Sequence, residues 1–75
     1  MEYEKMDKSI GAVLKRYRTE RRLSLRDVGE MLQVNNSTVS RWESGENAIS
    51  AKDLLHYVDL LGFSYDQFLD DFKNQ

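Results

Sequence analysis

Apolar residues recur along this chain at helical spacing. Ile10, Val13, Leu14 and Tyr17 fall at i, i+3, i+4 and i+7, which is one face of an α-helix. The pattern predicts a first helix over residues 7–21. Its end is crowded with cations, Lys15, Arg16, Arg18, Arg21 and Arg22, which suit the negative pole of a helix dipole. A short second helix over 25–32 turns Val28, Met31 and Leu32 inward. Ser24 is a good N-cap for it, and Asp27, three residues on, shortens the usual capping box. Gly29 in mid-helix costs up to about 1 kcal/mol relative to Ala, which makes sense if another helix passes very close. A third helix over 36–44 places Val39 and Trp42 on a shared face, with Asn35 as cap and Gly45 as the left-handed terminator. "SAKD" announces a fourth over 51–61. Ser50 caps it, Leu54, Leu55, Val58 and Leu61 form its buried stripe with Tyr57 alongside, and Gly62 ends it. "SYDQF" opens a fifth over 64–72, with Ser64 as cap, Gln67 as its partner, and Phe68, Leu69 and Phe72 to dock it. The reading is all-α and a single domain over residues 1–75, without repeat, linker or low-complexity stretch.

Composition narrows the class. A chain of 75 residues buries a modest core. Zero prolines and four glycines favour helices. Zero cysteines exclude a disulfide framework and thiolate metal sites, and a reducing cytoplasm fits. His56 is the one histidine, so no His pair exists for a metal, and it reads as a surface residue. Asp66, Asp70 and Asp71 read as a solvated acidic face, because a calcium loop needs a glycine that is missing here. No apolar run approaches the roughly 20 residues that span a bilayer. The first ten residues lack the apolar core of a signal peptide. No nucleophile–base set, metal set or phosphate loop points to an enzyme, and neither a cofactor nor a small-molecule ligand is expected.

Charge is uneven. The formal net charge is −2, but residues 1–42 hold nine Lys/Arg against six Asp/Glu, and residues 43–75 hold two against seven. The first half can face an anion while the second stays acidic and solvated. A mixed-charge soluble surface would account for the same numbers.

The stretch "VNNSTVSRWESG" over residues 34–45 raises the functional question. Four small polar residues in a row, Asn35, Asn36, Ser37 and Thr38, stand at the head of the third helix. One of them is enough for a cap. Two short helices joined by "LQVN" suggest a helix–turn–helix, although spacing alone is shared by many helical hairpins. The residue pattern is more specific. "LSLRDVGEMLQVNNSTVSRWESGENAIS" resembles the DNA-binding domain of phage repressors, Cro and many bacterial regulators, the XRE family. The resemblance runs from about Ile10 to Leu69. Within it, "SRWESGENAISAKDLLHYVDLLGFSYDQF" is most similar to the N-terminal domains of Rgg/MutR-type regulators of Gram-positive bacteria.

The resemblance implies a five-helix, lambda-repressor-like fold with the helix–turn–helix at the second and third helices. It places Leu23, Val28, Val39 and Trp42 in the core and pairs Arg18 with Glu43 between the first and third helices. Base contacts fall to Asn36, Ser37 and Arg41, flanked by Asn35 and Thr38, and phosphate contacts to Ser24, Arg26 and Ser44; Ser40, Asn47 and Lys52 are expected to add further phosphate contacts. Three positions depart from the family. Leu25 replaces a Gln that grips the DNA backbone, Gly29 replaces a small Ala, and Gln33 replaces the turn glycine. A positive φ at Gln33 would cost roughly 1 kcal/mol.

The physics agrees. The major groove admits an α-helix, Asn suits the adenine edge and Arg the guanine edge, so Asn36 and Arg41 form a plausible reading pair. The expected partner is double-stranded DNA, bound by a homodimer or by a longer regulator, with the dimer surface between Phe63 and Phe72. The alternative is a protein-interaction module, such as an antitoxin or adaptor, that uses the acidic half. That alternative explains the charge of residues 43–75 but not the polar head of the third helix.

Overall fold

The computed structural model describes residues 3–75; the side chains of Tyr3 and Glu4 lie outside what it describes. Five helices follow in order: α1 (Tyr3–Glu20), α2 (Leu25–Leu32), α3 (Asn36–Ser44), α4 (Ala51–Leu60) and α5 (Tyr65–Lys73). All five expected helices are present. The clearest difference is the start of α1, which lies a turn before the expected Asp7, in a segment whose charged residues carry no apolar period to announce a helix.

Local chemistry sets the ends. Ser24, Ser50 and Ser64 each accept a hydrogen bond from the backbone N–H three residues on, and Ser24 with Asp27 closes the full reciprocal box. At α4 the reciprocal contact differs: the Ser50 hydroxyl donates to the Asp53 carboxylate at 3.0 Å. Gln33 holds φ at +58°, so the turn between α2 and α3 keeps its left-handed residue without a glycine. Arg22 adopts φ of +57° after α1, a second such residue that no sequence signal marks.

The core is one cluster at the crossing of α1 with α3, α4 and α5. Val13, Leu14 and Tyr17 of α1 meet Val28, Val39, Trp42, Tyr57, Val58, Leu61 and Phe68. Two glycines allow the helices to close up. A Cβ on Gly11 would collide with the backbone carbonyl oxygens of Trp42 and Glu43, so α1 lies directly against the end of α3. A Cβ on Gly29 would sit 2.9 Å from the Val34 carbonyl oxygen and 3.3 Å from the Asn36 nitrogen, so the close neighbour is the turn into α3 and the first residue of that helix.

Several expectations about packing are corrected. Leu55 is exposed rather than part of the α4 stripe, and Tyr57 takes the buried place; Met31 of α2 and Leu69 of α5, expected inward, are exposed as well. Of the aromatics between Phe63 and Phe72, the three phenylalanines pack inward, whereas Tyr65 is exposed. Phe63 stacks on Tyr17 with centroids 3.7 Å apart, Phe68 is buried edge-on to the same ring, and Phe72 stacks on Phe68. Tyr17 supplies a large flat face at the centre of the core, and α5 closes over it.

Candidate nucleic-acid interface

The helix α3 has two unlike sides. Val39, Trp42 and Glu43 are buried, whereas Asn36, Ser37, Ser40, Arg41 and Ser44 are exposed. Thr38 is half-buried at the edge between them. This division follows from the order of residue types within nine positions. Val39 and Trp42 sit three apart and are drawn into the core, which turns the small polar residues outward.

The inner side is fixed by an ionic network. Arg18 on α1 donates from Nε and Nη2 to the two oxygens of Glu43, at 2.8 and 3.0 Å, and from Nη1 to the Leu23 carbonyl at 2.8 Å. Tyr57 of α4 completes it. Its hydroxyl lies 2.8 Å from Glu43 Oε2 and 3.2 Å from the Leu14 carbonyl, and its single proton is best given to the carboxylate. The hydrogen bonds to Glu43 hold the Arg18 guanidinium firmly protonated, while burial and the Glu43 charge push the Tyr57 phenol above its ordinary value. The Arg18–Glu43 pair expected from the resemblance is therefore present, with both side chains nearly enclosed. The part played by Tyr57 is an addition that helical periodicity could not reveal, since it rests on a contact between elements.

The outer side is held open by short local bonds. Asn35 Oδ1 accepts from the Ser37 backbone N–H and from its hydroxyl, both at 3.1 Å, so Asn35 is the cap and its amide nitrogen remains outward. The Ser44 hydroxyl donates to the Arg41 carbonyl at 3.2 Å. Arg41 lies 3.9 Å from Glu46 in a loose, half-exposed pair. Arg26 pairs with Glu30 along α2 at 3.2 Å, again in solvent. Ser24, Asn47 and Lys52 are exposed as well.

The cations at the end of α1 divide by task. Arg18 is committed to Glu43. Arg16 lies 2.9 Å from Asp71, and Arg21 donates to the Leu61 carbonyl at 2.7 Å with its guanidinium over Phe63. Three of the five thus tie α1 to other elements, and the basic balance of residues 1–42 overstates the charge free to meet an anion. Asp71, expected as part of a solvated acidic face, also accepts a hydrogen bond from the Tyr17 hydroxyl. Among the described residues no group of His, Cys, Asp or Glu is placed to hold a metal ion. Among the same residues no helix is long and apolar enough to cross a membrane.

Comparison with known proteins agrees with this geometry. Two crystal structures of the clp gene regulator ClgR from Corynebacterium glutamicum superpose with TM-scores of 0.87 and 0.86 at 25% identity. Each covers 92% of this chain, and the matched parts are 73% and 90% of the ClgR chains. No curated protein gives a significant sequence match. A family model for the helix-turn-helix domain matches residues 9–69, in agreement with the XRE-like pattern of Leu23–Ser50. The chain therefore belongs to the helix-turn-helix domain family.

Proposed function

We propose that this chain is a sequence-specific, double-stranded-DNA-binding module of a transcription regulator, with α3 lying in the major groove. One observation carries the reading: the polar side of α3 is exposed along its whole length, while its opposite side is locked to α1 and α4. A helix so mounted can enter a groove without rearrangement. The likeness to a gene regulator supports the same role.

In this reading Asn36 pairs with an adenine edge and Arg41 with a guanine edge, while Asn35, Ser37 and Thr38 make the flanking base contacts. Ser24, Arg26, Ser40, Ser44, Asn47 and Lys52 hold phosphates around them, which sets the register without reading sequence. The module works as a pair, or within a longer regulator in the cytoplasm, because one small acidic domain binds weakly and gains from a tethered second copy. The finer likeness of residues 40–68 to Rgg/MutR-type regulators belongs to the same proposal.

The test is binding to the DNA upstream of the chain's own gene, at two salt concentrations, with the protein fused to a dimerising tag. Wild type should bind with a steep salt dependence and prefer one site. Arg41→Ala should lose about 1–3 kcal/mol of that preference. Failure of the forced dimer to bind any duplex would remove the proposal and leave an acidic protein-docking module in its place.

A further inference from the structure

An open groove of about 170 Å³ lies where α1, α2 and α3 meet, lined by Lys15, Arg18, Leu25, Ser40, Glu43 and Ser44. Its charged groups do not contribute equally. Arg18 and Glu43 satisfy one another, and their remaining hydrogen-bonding capacity goes to Leu23 and Tyr57. They cancel in charge and have little left to offer a ligand. Lys15 is different. It is exposed, and among the described residues its ammonium has no carboxylate at ion-pair distance. Among the same residues the Ser40 hydroxyl has no hydrogen-bond partner, and that of Ser44 makes only long local bonds, donating to the Arg41 carbonyl at 3.2 Å and accepting from the Glu46 N–H at 3.3 Å. The groove therefore presents one free positive charge, one free hydroxyl at Ser40 and a second at Ser44 whose proton can turn from its long bond to Arg41, which is the chemistry of a seat for a singly charged, tetrahedral anion.

The position of the groove says which anion. Asn36, Ser40 and Ser44 stand four residues apart and form one row along α3. Eight residues of helix rise about 12 Å, close to the width of the major groove. A row with a base-reading residue at its head therefore brings its far end to the rim of the groove, where the phosphates lie. We propose that Lys15, together with Ser40 and Ser44, seats one backbone phosphodiester of the bound duplex and so fixes how far α3 enters. The inference rests on the DNA-binding reading above and adds a residue of α1 to it. Lys15 supplies charge, the hydroxyls supply direction, and Leu25 packs the apolar wall without competing for the anion.

The experiment is a salt titration of the forced dimer on its preferred duplex and on a random one, for wild type, Lys15→Gln, Lys15→Arg and Lys73→Gln. Lys73 lies in the last turn of α5 and serves as the control for general charge. Lys15→Gln should lower the slope of log K against log salt by about 0.9 for each phosphate no longer neutralised, and so by about twice that for the dimer. The decrease should be the same on both duplexes, since a phosphate contact reads no sequence. Lys15→Arg should restore the slope, Lys73→Gln should leave it unchanged, and the melting temperature of each variant should match wild type. A scan of single neutral methylphosphonates should find a position that weakens wild type and leaves Lys15→Gln unaffected. An unchanged slope in Lys15→Gln, or a decrease no greater than that of Lys73→Gln, would overturn the inference while wild-type binding stands. Absence of duplex binding by wild type would remove both this seat and the reading it rests on.

Discussion

The two sides of α3 are made from the same nine residues and behave as different materials. The inner side holds Val39 and Trp42 in the core and Glu43 in a network that joins α1, α3 and α4. The Gly11 backbone of α1 packs directly against the Trp42 and Glu43 carbonyls at the end of α3. The polar residues of the outer side make only local or long bonds. The difference shows how a small chain can separate stability from recognition. Side chains of the outer side are replaceable at little cost to the fold, because the inner side alone fixes the helix. Substitutions on the inner side should unfold the molecule before they change what it binds.

The largest break in that comparison is Trp42→Ala. Truncating a buried Trp costs about 3–5 kcal/mol, a large part of the stability of a domain this small. Urea denaturation should show the midpoint collapse, and a loss below about 1 kcal/mol would mean that α3 is not anchored there. Glu43→Ala comes next. It strands the Arg18 guanidinium, whose side chain is 12% exposed, and leaves the Tyr57 hydroxyl only its long contact to Leu14. Removing one partner of a buried pair costs about 3–5 kcal/mol, and the remaining exposure of Arg18 argues for the lower end. A double-mutant cycle with Arg18→Met sharpens the point: the double variant should be more stable than Glu43→Ala alone, because no charge is left unpaired.

These inner contacts also show what a sequence makes legible. Helices come through because each carries its own signal. Serine caps stand at residues 24, 50 and 64, and apolar residues repeat at helical spacing between them. Asn36 and Arg41 can be assigned to the open side for the same reason, as Val39 and Trp42 fix the rotation of the helix. Contacts between elements leave no such mark. Gly11 gives no sign that it touches the backbone of α3, and Tyr57 reads as one more apolar residue. Nothing in the sequence shows that Phe63 stacks on Tyr17 or that Phe72 stacks on Phe68. The cations of α1 mislead. The charge balance of residues 1–42 suggests a half free to face an anion, whereas Arg16, Arg18 and Arg21 each meet a partner far along the chain.

A change on the outer side should do the reverse of Trp42→Ala. Arg41→Ala removes an exposed side chain with a loose pair to Glu46, so stability should stay within about 0.5 kcal/mol of wild type. Site preference should fall by about 1–3 kcal/mol if Arg41 reads a guanine. Thermal melts and binding assays on one preparation check both halves. A variant that melts early and binds normally would invert the assignment of the two sides.

The smallest expected effect lies away from α3, where α5 is latched to α1. The Tyr17 hydroxyl donates to Asp71, and Arg16 lies beside it. The Tyr17 hydrogen bond first, and then Arg16, hold the Asp71 carboxyl below its ordinary value of 3.8. A carboxyl depressed in the folded state favours folding while it is ionised. The latch therefore contributes above about pH 4, and its contribution is lost as the pH falls through the folded value. Asp71→Asn should make the amides of α5 exchange faster than wild type at about pH 6, with the difference shrinking as the carboxylate is protonated in acid. Asp27 is lowered too, by its bonds to Ser24, but it sits in the cap of α2 and leaves that comparison of α5 untouched. An acid dependence of α5 exchange that is identical in Asp71→Asn and wild type would show that Phe63 and Phe68 hold the helix by packing alone.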